Sequence, residues 1–265
     1  MGRVPATGDP VRARALPPGP VSDQRRTRLL VVRNDPTDPP ALLGRWWAEA
    51  GVEVVEVLAD AGEPVPESLP EDVDGLVVLG GAMAAWEDDV APWLPAERAL
   101  VARTVDEGRP VLGVCLGGQV MTLACGGRVE RAQTAEVGIT ELTLLPAAEK
   151  DPLLSQVPQG APVGQFHIDA MTVLPDGAVP LASTAACAHQ AYRIGEHAWA
   201  LQFHPEIDAA IMDSWIDDDS DTVARLGLDR DEVVRPFVER EDELVAAWRP
   251  FAIAFADVVR AGARD

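Results

Sequence analysis

Val111-Leu112-Gly113-Val114 runs apolar into Cys115, and the chain then breaks at Gly117-Gly118 before a helical pattern begins. A buried strand, a sharp turn carrying a reactive atom, and a helix whose N-terminus lies beneath that atom make a nucleophile elbow. Few architectures accommodate that order of events. Arg28-Leu29-Leu30-Val31-Val32-Arg33, Gly75-Leu76-Val77-Val78-Leu79 and Trp199-Ala200-Leu201 are further short apolar runs. Strands that are apolar on both faces, alternating with helical patterns, predict a parallel sheet covered on both sides. Such sheets bind ligands beyond the carboxyl ends of their strands. Gly80-Gly81, Cys115 and His204 all fall at predicted strand ends. The expected fold class is therefore α/β, a mostly parallel sheet with helices on both faces.

Between these landmarks the pattern can be followed along the chain. Residues 1–26 are rich in Pro, Gly and Arg, without apolar periodicity, and predict a disordered basic arm. The folded domain is expected over residues 27–262. Asp38-Pro39-Pro40 reads as an N-cap followed by a helix-opening proline, with the helix continuing through Leu42, Leu43, Trp46 and Trp47 to Gly51. Val52 to Leu58 alternates as a strand, and Ala96 to Glu107 reads as a helix closed by Gly108. From Val129 to Leu201 shorter strands with turns at Pro146, Pro158, Pro175-Asp176-Gly177 and Gly195-Glu196 predict hairpins or a mixed sheet edge. Helical spacing returns after Glu206, with Phe237, Leu244, Trp248, Phe251 and Phe255 on one face and Pro250 expected to interrupt it. Trp46, Trp47 and Trp248 are read as core.

Charge narrows the partners. The net charge is −21, which argues against nucleic acid and anionic membranes. Residues 1–28 run the other way, with six arginines against two aspartates. Three cysteines, Cys115, Cys125 and Cys187, make neither a disulfide framework nor a zinc motif. A reducing cytoplasm fits. No secretory h-region and no apolar run of membrane-spanning length is visible.

The chemistry concentrates in two places. Cys115 must ionise to attack, and a helix N-terminus favours the thiolate. The flanking glycines are read as letting substrate and backbone approach closely. Gln119, one helical turn past Cys115, shares its face and is placed to hold a substrate. At the other end of the chain, His204 and Glu206 stand two apart around Pro205. On an extended segment they point the same way, so the carboxylate can fix the imidazole tautomer. A cysteine, a histidine and an acid at strand exits form a nucleophile–base–orienter set. Gly80 and Gly81 are candidates for contact with substrate and oxyanion, Gly81 with the N–H of Leu116. His167, in His167-Ile168-Asp169, is a candidate pocket residue. His197 reads as a solvated turn residue. Asp217-Asp218-Asp219 with Asp221 reads as a solvated acidic loop rather than a metal site.

Together Leu79-Gly80-Gly81, Gly113-Val114-Cys115-Leu116-Gly117-Gly118-Gln119, Ala191-Tyr192-Arg193-Ile194-Gly195 and Leu201-Gln202-Phe203-His204-Pro205-Glu206 resemble the class I, or triad, glutamine amidotransferases. The likeness is strongest to stand-alone members similar to the amidotransferase domain of GMP synthase. Asp88 to Glu97, with Pro92-Trp93-Leu94, resembles that subgroup too. The resemblance implies a flavodoxin-like fold and hydrolysis of a γ-glutamyl amide. It assigns Cys115 as nucleophile, His204 as base and then acid, and Glu206 as its orienter. Gly81 and Leu116 would supply oxyanion N–H groups, and Gln119 would hold the amino-acid end of the substrate. It implies no metal or organic cofactor. Position 118 is Gly where many members carry His or Met, and Gln165-Phe166-His167-Ile168-Asp169 stands where relatives often show a W-H-G-type run.

Three functions remain open at this level. One is an amidotransferase subunit passing ammonia to a separate ATP-dependent synthetase, since no Walker-type phosphate loop is present. Another is a stand-alone hydrolase or peptidase of γ-glutamyl amines or peptides. The third is a non-catalytic protein with a regulatory or binding role, against which the complete Cys115, His204 and Glu206 set speaks.

Overall fold

The computed structural model describes residues 25–262; the expected arm over residues 1–26 lies outside these except for Arg25 and Arg26. Arg25 donates to the Asp72 carbonyl and pairs with the Asp74 carboxylate.

The expected apolar runs become the centre of one sheet. Strands β1 (Arg28–Arg33), β2 (Glu53–Leu58), β3 (Gly75–Val78), β4 (Val111–Val114) and β10 (Ala198–Leu201) run parallel in the order β2-β1-β3-β4-β10. That is the flavodoxin-like order, with its topological switch between β1 and β3. Strands β9 (Ala191–Ile194), β8 (Val179–Ser183) and β6 (Thr143–Leu144) extend the same sheet antiparallel, the mixed edge expected from the turn signals.

Alternation along β1 divides the core. Leu29 and Val31 face one apolar cluster, which holds Trp46 and Trp47 of α1 (Ala41–Glu49) and Trp248, Phe251 and Phe255 of α7 (Glu241–Gly262). Leu30 and Val32 face the other, with Leu94, Leu100 and Val101 of α2 (Leu94–Asp106) and Val120 and Met121 of α3 (Leu116–Ala124). Period-two strands sandwiched between helices bury both faces of the sheet.

Four expectations are corrected. The region 129–201 does not hold short strands only. Its longest strands, β5 (Arg128–Glu141) and β7 (Pro162–Val173), form a separate antiparallel pair. The polar, bulged sequence of β5 hides its strand period: the register slips between Arg131 and Glu136. Helix α1 starts at Ala41, and Asp38 is not its cap; its carboxyl is buried elsewhere. Pro250 does not end α7. Both Pro250 and Ala246, whose carbonyl loses its helical donor, are exposed, so water can serve that carbonyl. Asp217 to Asp221 is not a loop. Asp217 and Asp218 end α4 (Ala209–Asp218), Asp219 caps α5 (Ser220–Leu226) and Asp221 lies in it, the two helices anchored by buried Met212, Trp215, Ile216 and Val223. The remaining helix, α6 (Arg230–Glu239), packs beside α4, and Arg230 pairs with Asp213 and Asp217.

Candidate active site

The sheet brings four carboxyl ends to one cavity of about 340 Å³. Its walls come from the loop after β1 (Asp35 to Asp38), the loop after β3 (Gly81 to Met83), the start of α3 (Cys115, Leu116, Gln119), β7 (Phe166 to Asp169), His204, and the α4–α5 junction (Trp215, Asp218, Asp219). A doubly wound sheet of this order is expected to bind ligand there.

Cys115 stands between β4 and α3 at φ +50°, ψ −107°. A non-glycine residue rarely adopts such a backbone, and it occurs where a turn must present a side chain. The backbone N–H of Cys115 donates to the Leu201 carbonyl at 2.8 Å, tying the elbow to β10. Gly117 and Gly118 do not face the cavity. A Cβ at Gly117 would lie 2.0 Å from the Val78 carbonyl oxygen, and one at Gly118 would lie 2.5 Å from that of Leu201. These glycines let α3 seat against β3 and β10, so the expectation that they clear room for substrate is corrected. Gly118 bears on the pocket only through the seat of α3, not as a lining residue.

His204 follows β10. Its N–H donates to the Gly164 carbonyl at 2.9 Å, bridging the turn to β7. Glu206 Oε1 lies 2.6 Å from His204 Nδ1, and the Glu206 carbonyl accepts from Leu42 N at 3.0 Å. Asp208 then caps α4, accepting from Ala210 N and Ile211 N. That helix carries Trp215 edge-on to the His204 ring at 4.6 Å between centroids, with its indole N–H donating to the Thr37 carbonyl at 2.9 Å. Burial opposes charge on His204. The Glu206 carboxylate and Cys115 offset that burial and hold the imidazole well above its ordinary value.

The other candidates divide. Gly81, Leu116 and Gln119 line the cavity, and Leu116 is the first residue of α3, whose N–H groups have no partner within the helix. Gln119 Nε2 donates to the Asp169 carbonyl and to Gln202 Oε1, both at 3.3 Å. Gln202 in turn points Nε2 at Cys115 Sγ, 3.8 Å away. Gly80, expected against substrate, does not line the cavity; a side chain there would strike Asp38 and crowd His204. His167 does line it, but both ring nitrogens are occupied, Nδ1 by the Asp169 carbonyl at 2.9 Å and Nε2 by Glu136 at 3.2 Å. The bulged register of β5 on β7 sets Glu136 opposite His167, and Glu136 also accepts from Gln190 and Thr184. His167 is thus a wall braced from behind, not a free ligand for substrate.

Sequence reasoning missed several residues here. Trp215 gave only a helical aromatic signal. Asn34, at the end of the β1 run, donates to the Leu79 carbonyl and to Glu97, and accepts from Trp93 Nε1, so it ties the Gly81 loop to α2. Burial pushes the Glu97 carboxyl up to about 8 against the pull of Asn34 and Arg98. Asp38 is 3 % exposed, and burial pushes its carboxyl up to about 7, against the pull of His204. Asp38, His204 and Glu206 are the one trio of potential metal donors found among the described residues. Nδ1 of His204 is already committed to Glu206, so the trio reads as an acid–base cluster rather than a metal centre. No helix among the described residues is long and apolar enough to cross a membrane.

The family model described as glutamine amidotransferase class-I matches residues 43–218. A subunit of glutamine-hydrolyzing GMP synthase from Methanoculleus marisnigri is 33% identical over 159 residues, covering 59% of this chain and 78% of that one. The glutamine-hydrolyzing GMP synthase of Christiangramia forsetii is 37% identical over 144 residues, 52% of this chain, and the match spans only 26% of that longer protein. Among solved structures, a glutamine amidotransferase from Thermotoga maritima superposes with a TM-score of 0.78 at 24% identity, covering 88% of this chain and 99% of that one. Another, from Methylobacillus flagellatus, gives 0.74 at 24% identity over 90% and 95% of the two chains.

Proposed function

The chain belongs to the class-I glutamine amidotransferases, and from that premise we propose that it hydrolyses the side-chain amide of glutamine through a thioester on Cys115. The observation that carries this reading is the convergence of Cys115 and His204 on one cavity at the carboxyl ends of β4 and β10, with Glu206 behind His204 on its Nδ1. A volume of about 340 Å³ lies at the small end of ligand pockets and suits an amino-acid-sized substrate.

Chemically, the Cys115 thiolate adds to the amide carbon and the carbonyl oxygen becomes an oxyanion. The N–H groups of Gly81 and Leu116 receive that charge. His204, protonated beside Glu206, gives its proton to the leaving nitrogen, the C–N bond breaks, and ammonia departs from a γ-glutamyl thioester. Water then loses a proton to His204 and adds to the thioester carbon. Collapse of that second oxyanion breaks the C–S bond, returns the Cys115 thiolate and releases glutamate. Gln119, held by Gln202 and the Asp169 carbonyl, is placed to meet the amino-acid end of the substrate.

The ammonia is proposed to pass to an ATP-dependent synthetase, as the kinship with the Methanoculleus GMP synthase component suggests. A cytoplasmic setting fits that role. A second reading is favoured by one observation, the aspartates Asp35, Asp38, Asp169, Asp218 and Asp219 around the cavity. They suit a γ-glutamyl amine whose leaving group carries positive charge. Release of ammonia and glutamate from glutamine, measured with and without a synthetase and against γ-glutamyl amines, separates the two. Cys115→Ala serves as the control. If native and Cys115→Ala protein release the same background, both readings fall.

A further inference from the structure

Outside the Cys115–His204–Glu206 set, three buried ionisable groups line the catalytic cavity; His167 is paired with Glu136 and Asp169 with Arg131, while Asp38 has no hydrogen-bonded partner and no place in the reaction. Asp38 sits in the loop between β1 and α1, and its Oδ1 has no hydrogen-bond partner. A carboxyl oxygen of Asp38, a ring nitrogen of His204 and a carboxyl oxygen of Glu206 all lie within 4.8 Å of one another. The chain makes room for this approach. The point where a Cβ would stand on Gly80 is 2.0 Å from Asp38 Oδ2 and 3.1 Å from His204 Cε1. Any residue other than glycine at position 80 would push the carboxyl and the ring apart.

We propose that Asp38 is a positioning residue for His204, a second carboxyl beside the imidazole that acts with Glu206 to hold the ring and steady its positive charge. The inference rests on the catalytic reading of His204 and deepens it. A lone buried carboxyl without donors is costly, so its persistence asks for a cationic neighbour. His204 is the cation that faces it. The other titratable groups facing Asp38 are Glu206, on the same turn as His204, and Asp35, on its own loop. Both are acids, and both resist its ionisation. Asp218 and Asp219 share the cavity wall, and Cys115 faces His204. Asp38 therefore gains its charge only near pH 7, where its burial and acid neighbours have raised it. Above that pH it adds a second negative charge beside the imidazolium, which then holds its proton to higher pH.

The test uses the full chain. It has four histidines, so the ring signals of His204 can be assigned by NMR with His204→Asn. In Asp38→Asn, the pH at which His204 loses its proton is expected to fall by about 0.5–1 unit, with the alkaline limb of kcat/KM for glutamine moving down alongside it. Asp213→Asn, a surface acid paired with Arg230, is expected to move neither. Coupling between two groups is reciprocal, so His204→Asn is expected to raise the titration of the Asp38 carboxyl in the otherwise native chain. That arm decides the matter even if Asp38→Asn does not fold. An unmoved His204 titration in folded Asp38→Asn, or an unmoved Asp38 titration in His204→Asn, overturns the proposal. Neither spectrum depends on turnover, so a failure here is distinct from a failure of the amidohydrolase reading, which the Cys115→Ala assay judges.

Discussion

At the scale of single residues, the backbone of Cys115 stores strain that the reaction requires. A φ of +50° on a residue with a Cβ costs of order 1–3 kcal/mol, and the fold holds it there to present the sulfur. Cys115→Gly and Cys115→Ala are both expected to abolish amide hydrolysis. They should differ in stability, with the glycine variant more stable by roughly 1 kcal/mol in urea unfolding, because glycine alone adopts that backbone freely. Equal midpoints would remove the strain argument. His204→Ala is expected to lower kcat by roughly 10²–10⁴-fold with the fold retained, since it removes the imidazole that carries the proton to the leaving nitrogen. Local chemistry made this pair legible. A cysteine between an apolar run and glycines, and a histidine two residues before a glutamate, declare themselves within a few positions. His167 did not: whether its nitrogens are free depends on Glu136, set opposite it by a bulge in another strand.

At the scale of elements, two contacts place the catalytic groups. Helix α3 can bring Leu116 and Gln119 to the cavity only because Gly117 and Gly118 let it lie on the backbones of β3 and β10. Gly117→Ala is expected to destabilise the protein by roughly 1–3 kcal/mol, through a Cβ forced onto the Val78 carbonyl that rigid backbone cannot yield to. A thermal midpoint unchanged from the native protein would contradict this. Helix α4 is aimed by its Asp208 cap and holds Trp215 over His204. Asp208→Ala is expected to cost about 1 kcal/mol and to lower kcat, as the frayed first turn loosens Trp215. Loss of stability with full activity would show that Trp215 does not need that cap. Helix α4 follows an apolar pattern, but its acidic end resembles a solvated loop in sequence. Buried Trp215 and Ile216 decided otherwise.

At the scale of the whole molecule, folding itself is coupled to pH through buried acids. Glu97 of α2 is fully buried against Asn34, and its carboxyl is raised from an ordinary 4.5 to about 8. A raised acid binds its proton more tightly in the folded state. Its contribution to stability is therefore complete below pH 4.5 and is lost as pH climbs toward 8, at up to about 1.4 kcal/mol per unit across that window. Glu97→Gln, which keeps the acceptor for Asn34, is expected to flatten that decline, so that native and variant proteins diverge in unfolding free energy between pH 5 and 8. Parallel curves would place the coupling elsewhere. The amino-acid sequence alone determined the central parallel strands, the elbow at Cys115 and the His204–Glu206 pair. Each of these follows from the apolar period or side-chain type of a few consecutive residues. Only the tertiary structure decided that Asp38 belongs beside His204, that Gly80 exists to admit it, and that β5 and β7 pair apart from the main sheet, β7 walling the cavity. Those outcomes depend on which distant segments meet, and the free energy of such a meeting is not a property of either segment by itself.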